Sequence, residues 1–90
     1  MQELKQLESF MTQKVAYIYS TSIIFARFIN TAITRFCAGD WGEISEDDAQ
    51  LNNEEPLFAL GAYVYPLFKD FKIWIKADED HITVLFPDEY

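Results

Sequence analysis

Phe71-Lys72-Ile73-Trp74-Ile75-Lys76 alternates apolar and polar side chains with period two. That is the signature of a strand with one face on a core. Phe71, Ile73 and Ile75 point one way, and both lysines point to solvent. Asp78-Glu79-Asp80-His81 follows as a turn, with His81 as a turn residue. Ile82–Phe86 is the next strand, closed by Pro87. Upstream, Leu57–Tyr65 has no helical stripe and ends at Pro66. There Phe58, Leu60, Ala62 and Val64 share one face and Tyr63 and Tyr65 the other, and Gly61 marks a bulge. Together these runs predict a three-stranded antiparallel meander.

The helical part lies upstream. Phe25, Phe28, Ile29, Ala32, Ile33 and Phe36 form an amphipathic stripe, with Arg27, Asn30, Thr31, Thr34 and Arg35 opposite. Thr21 or Ser22 caps this helix, and Gly39 ends it in the left-handed conformation. Leu4, Leu7, Phe10 and Met11 predict a short N-terminal helix over 2–14. Val15–Tyr19 is rich in β-formers and reads as a fourth strand, with a continuation of the first helix as the rival. Ser45, with Asp48 three residues on, starts a short helix over 45–53, and Asn52-Asn53 and Pro56 end it. The expected fold is α+β. A three- to four-stranded antiparallel sheet is packed by one long helix, with one or two short helices. Ninety residues make one domain, since cores seldom divide below about 150 residues. Its parts are residues 1–14, 15–37, 38–55 and 56–90.

Composition narrows the function. Half the residues are hydrophobic and 17% are aromatic, which excludes a disordered chain. Acids outnumber bases 15 to 7, for a net charge of −8. A general binder of bare nucleic acid is excluded, because such binding rests on Lys and Arg neutralising phosphates. The acid is concentrated. Residues 40–55 hold seven carboxylates and no base, and residues 78–90 hold five more and no base. A block of one sign steers a partner of the other sign. Asp40, Glu43, Glu46, Asp47, Asp48, Glu54, Glu55, Asp78, Glu79 and Asp80 are therefore the candidate partner-binding carboxylates. Trp41, in a loop between two glycines, is either their anchor or a lid on the core. Tyr63, Tyr65 and Trp74 form a candidate aromatic strip on the outer sheet face, suited to a homodimer.

Chemistry finds little footing. One Cys and one His, 44 positions apart, make no zinc motif, and neither acidic block has the glycine of a calcium loop. No metal and no cofactor is expected. Cys37 sits at a helix C-terminus, where the dipole opposes a thiolate, and reads as a packed small hydrophobe. No Gly-rich phosphate loop is present, and the carboxylates lie in solvated stretches, so an enzyme is not expected. Val15–Cys37 is long enough to span a bilayer, but Arg27, Asn30 and Arg35 lie within it, so no membrane span is expected. The N-terminus has no basic stretch followed by an apolar core, and a lone cysteine allows no internal disulfide. Both point to a cytoplasm, that of a bacterium or of a host.

Gly39-Asp40-Trp41-Gly42, Glu46-Asp47, Asn52-Asn53-Glu54, Lys72-Ile73-Trp74-Ile75 and Leu85-Phe86-Pro87-Asp88-Glu89-Tyr90 are joined in one order over residues 35–90. This pattern resembles a family of small proteins of bacterial plasmids, integrative elements and phages, described as plasmid-related or hypothetical. The family has a GDWG loop, a KIWI-like strand and a terminal LFPEEY. Here the turn after the KIWI strand is shorter and carries Asp80-His81 where the family has an acidic residue and Asp-Arg. The N-terminal 34 residues lie outside the resemblance. The resemblance implies no activity, only a mobile-element setting. Small acidic proteins of that setting often block host defence, in the manner of anti-restriction and anti-CRISPR proteins. The resulting expectation is a protein-binding inhibitor of a nucleic-acid-handling effector, whose basic groove the acidic blocks occupy as a mimic of phosphate. The alternative is a non-inhibitory interaction or assembly module, homodimeric through the aromatic sheet face.

Overall fold

The computed structural model describes Leu4, residues 7–68 and residues 70–90. It is an α+β fold of three helices and one four-stranded mixed sheet. In chain order the elements are β1 (Glu8–Met11), α1 (Gln13–Thr21), α2 (Ile23–Cys37), α3 (Glu46–Glu54), β2 (Leu60–Val64), β3 (Lys72–Asp78) and β4 (His81–Leu85). Short 3-10 turns fill Pro56–Phe58 and Pro87–Glu89. The spatial strand order is β1-β4-β3-β2. The meander β2-β3-β4 is antiparallel as expected, but β1 joins β4 in parallel.

The N-terminal third departs from expectation. Of the helix read over 2–14, the described part holds β1 and the start of α1. The strand read over Val15–Tyr19 is helical instead. Thr12 decides both. Its side chain accepts the Val15 N–H at 3.3 Å and starts α1, so the chain before it is extended. Val15, Ile18 and Tyr19, spaced i, i+3 and i+4, then pack on the core, and that burial overrides their strand propensity. The fourth strand is therefore Glu8–Met11. The helical layer is two successive helices of nine and fifteen residues rather than one long one. Ser22 ends α1 and, accepting the Phe25 N–H at 3.2 Å, caps α2.

α2 lays Phe25, Ile29, Ala32 and Phe36 on the inner sheet face, where Ile73, Ile75, Ile82 and Val84 are fully buried. Each such side chain contributes about 1.5–3 kcal/mol on burial. Phe71 sits at the edge of this core, its ring 5.7 Å from that of Phe25 and 5.4 Å from that of Phe86. Tyr63 and Tyr65 are buried on this inner face too, so the aromatic strip expected outside does not exist. The two-face partition of the strand was right, but its inner side is the tyrosine side. Gly61 is the cause. No bulge interrupts the register from Leu60↔Lys76 to Val64↔Lys72. Instead the Tyr63 ring covers the space a side chain would need: a Cβ on Gly61 would lie 2.7 Å from Tyr63 Oη and 3.0 Å from Phe36 Cδ1. Trp74 alone of the three stays on the outer face, with the exposed Tyr90 ring edge-on at 5.4 Å. His81 is the first residue of β4 rather than part of the turn.

α2 ends as expected at Gly39, whose φ is +85°. The Asp40 N–H donates to Arg35 C=O at 2.8 Å and the Gly39 N–H to Phe36 C=O at 3.0 Å, a Schellman closure. Gly42 is also left-handed, with φ +78°. Open space surrounds Gly39, whereas a Cβ on Gly42 would fall 1.9 Å from the Ala62 carbonyl oxygen. Gly39→Ala therefore costs only the backbone strain of about 1–2 kcal/mol. Gly42→Ala adds a collision with backbone that cannot move aside, and costs at least about twice as much. Urea unfolding of the two variants measures the difference; equal losses would contradict this geometry.

Candidate functional site

The acidic segment 40–55 is built onto the outer edge of β2. On this strand Gly61 and Tyr63 bond inward to β3, so the backbones of Leu60, Ala62 and Val64 face outward. Those of Leu60 and Ala62 are taken up. Ala62 N–H donates to Trp41 C=O at 3.0 Å, and Ala62 C=O accepts Glu43 N–H at 2.7 Å. Gly42 thereby forms a parallel bridge with Ala62. Leu60 N–H donates to Asn52 Oδ1 at 3.2 Å, and Leu60 C=O accepts Asn52 Nδ2 at 3.0 Å. One side-chain amide thus stands in for a strand residue, which explains why Asn52 is the buried polar residue of the core.

Trp41 is not an exposed anchor. It is 6% exposed, packs edge-on against Phe36 at 5.1 Å, and donates its indole N–H to Asn53 Oδ1 at 2.9 Å. It lids the core, the second of the roles its loop allowed. Asp40 is equally committed. Arg35 grips it with Nε–Oδ2 at 2.7 Å and Nη2–Oδ1 at 3.1 Å, and Oδ1 also accepts the Gly42 N–H at 3.1 Å. The Arg35 hydrogen bond, joined by that of Gly42, holds the Asp40 carboxyl below the usual carboxylate range. Arg35 also lies 5.1 Å from the Tyr63 ring, and Tyr63 donates to the Asp40 carbonyl at 2.8 Å. Burial, and then Asp40, push the Tyr63 phenol up, so it stays a neutral donor.

The remaining carboxylates of the segment are free of such duties. Glu43, Glu46, Asp47, Asp48, Glu54 and Glu55 are all exposed, and among the described residues none is in an ion pair. Ser45 caps α3 by accepting the Asp48 N–H at 3.1 Å, and Glu46, Asp47 and Asp48 fill its first turn, where the helix dipole favours anions. Glu54 and Glu55 lie at the opposite end of α3.

The second acidic block is split by the fold. Asp78, Glu79 and Asp80 lie at the β3–β4 hairpin end, the sheet end that Glu54 and Glu55 approach through Ala59, whose carbonyl accepts the Ala77 N–H at 2.8 Å. Asp78 pairs with Lys76 at 3.0 Å and His81 Nε2 at 3.5 Å. Asp80 meets His81 Nδ1 at 2.7 Å, which lowers the Asp80 carboxyl. Glu79, at the tip, is exposed. Asp88 and Glu89 lie at the far end of β4, where Glu89 Oε1 accepts Thr12 Oγ1 at 2.9 Å and Phe86 N–H at 2.8 Å.

No group of three or more His, Cys, Asp and Glu able to hold a metal ion occurs among the described residues. Cys37 is half-buried, and burial pushes its thiol up, away from the thiolate a nucleophile needs. Among the described residues no helix is long and apolar enough to cross a membrane. No family model matches the chain, and no curated protein or solved structure is significantly similar to it.

Arg35, Asn52, Asn53 and Tyr63 hold this flank in place, and the sequence reading gave none of them that role. Asn52-Asn53 read as a helix stop. Two adjacent amides twelve residues beyond a glycine-flanked Trp were the available signal.

Asn52→Leu leaves two buried backbone groups of Leu60 unpaired, and should cost about 2–4 kcal/mol in urea unfolding. Asn53→Leu, which gives up the one part-buried bond to the Trp41 indole N–H, should cost less, about 1–2 kcal/mol. Asp40 sets an acid limit. Its folded pKa is depressed, so its stabilisation is complete above the unfolded value near 3.9 and is lost as pH falls through the folded value. The stability gap between the native chain and Asp40→Asn should therefore narrow as pH falls below the unfolded value. A gap that stays constant as pH falls would refute the assignment.

Proposed function

We propose that this protein acts by binding another protein, with Glu43 and the carboxylates of α3 set against a basic surface. Six exposed carboxylates on one flank, none of them in an ion pair among the described residues, support this reading. The flank is preorganised, because Trp41, Asn52 and Asn53 fix its backbone from behind. Little ordering entropy is then lost on binding. Asp78, Glu79 and Asp80 extend the same negative field at the hairpin end, where Asp78 pairs with Lys76 and Asp80 is hydrogen-bonded to His81. The class of partner proposed is a nucleic-acid-handling effector, whose basic groove the flank occupies and so inhibits. The mobile-element setting suggested by the GDWG, KIWI and LFPDEY pattern fits that partner.

Capture of partners from a bacterial lysate tests the reading. Glu43, Glu46, Asp47, Asp48, Glu54 and Glu55 are changed together to their amides, with folding checked by circular dichroism. The native chain should release its partner as salt rises toward 1 M, where screening shortens to about 3 Å. The neutralised chain should capture at least about tenfold less. Undiminished capture by a folded neutralised chain would overturn the proposal.

A further inference from the structure

The two edges of the sheet are treated differently. The β2 edge is closed by the chain itself at Leu60 and Ala62. At β1 the parallel register runs from Glu8↔His81 to Met11↔Val84, and Thr12 N–H donates to Val84 C=O at 3.1 Å. In a parallel ladder this sets the Phe10 backbone groups toward β4 and those of Ser9 and Met11 toward the open side. Among the described residues nothing bonds to those outward groups. Ser9 is exposed, and Phe10 is 50% exposed on the outer face. An open edge of this kind is a template for another strand.

We infer that β1 pairs antiparallel with β1 of a second copy about a two-fold axis at Phe10, joining two sheets into one of eight strands. The segment is complementary to itself in this register. Ser9 meets Met11 of the other copy in both directions, so four backbone bonds satisfy every outward group of the two residues. Phe10 stands directly across from its own copy, in a wide pair where Cα atoms come within about 4.5 Å and rings pack best. Glu8 stands across from Thr12. The two Glu8 carboxylates are then four residues apart along the strands, about 13 Å, which exceeds the screening length at 0.1 M salt. The registers centred on Ser9 and on Met11 fit less well. The first leaves Phe10 facing Glu8, and the second runs the ladder into the start of α1. α1 contacts both β1 and β4, so the two α1 helices flank the axis on one face. The acidic flanks lie at the two distant β2 edges, clear of the joint. The pairing and the partner-binding reading therefore stand or fall separately.

Sedimentation equilibrium of the full chain from about 5 to 500 μM tests the pairing. A monomer–dimer equilibrium is expected; a monomer throughout overturns it. Ser9→Pro deletes an outward N–H while sparing the β1–β4 ladder, and should weaken the dimer at least about tenfold. A folded Ser9→Pro chain that dimerises as tightly as the native one overturns the inference. Should that variant not fold, cross-linking decides. In a Cys37→Ala background, Phe10→Cys should form a disulfide dimer under mild oxidation, because the paired Cα atoms lie within bridging range. Exposed Thr34→Cys is the reference, and equal yields from the two overturn the register.

Discussion

The placement of the whole acidic segment depends on how the outward backbone of β2 is satisfied. A strand at the edge of a sheet offers donors and acceptors that water or another chain must take. Here the chain takes those of Ala62 and Leu60 itself, with main-chain groups from Trp41 and Glu43 at Ala62 and one Asn amide at Leu60. Those contacts bring the whole 40–55 segment onto the sheet. They also bury the Trp41 ring against Phe36, which extends the core past the last strand.

The segment that closes the edge is also the most acidic of the chain, and the two facts are connected. Seven carboxylates in sixteen residues repel one another and favour an extended, solvated chain. The fold holds them in place by a few specific bonds. Arg35 neutralises Asp40 at the start, Ser45 and the α3 dipole accommodate three acids in the middle, and the amides of Asn52 and Asn53 tie down the end. The Schellman closure at Gly39 points the chain toward β2, and Gly42 lets it come within bonding distance of Ala62. The structure thus keeps charge outward along a flank whose inner side is amide, indole and backbone.

The sequence carried the β-meander and α2 plainly, because both are written in hydrophobic periodicity and bounded by proline, glycine and capping residues. The start of α3 at Ser45 was legible for the same reason. The N-terminal third was not. Val15–Tyr19 satisfies a strand by composition and a helix by spacing, and only the cap at Thr12, with the room left over β4, decides between them. The parallel pairing of β1 has no local signature at all, since its partner lies seventy residues away. Tyr63 was misplaced because Gly61 hides the fact that a large ring can lie over a residue with no side chain. Of the candidate site, the carboxylates were legible as a block. The division between those that bind the fold together, such as Asp40, and those left to solvent follows from Arg35, which nothing in the sequence links to Asp40.

β1 is made 73 residues before β4, its only described partner within the molecule. At ordinary synthesis rates of about 5–20 residues per second, roughly 4 to 14 s separate the two. During that interval the segments of α1 and α2 lack the complete sheet that buries Phe25, Ile29 and Phe36. The bond from Thr12 to Glu89, which spans 77 residues, waits longer still. The sheet is therefore completed only once the β3–β4 hairpin has been made and can recruit the strand that precedes α1.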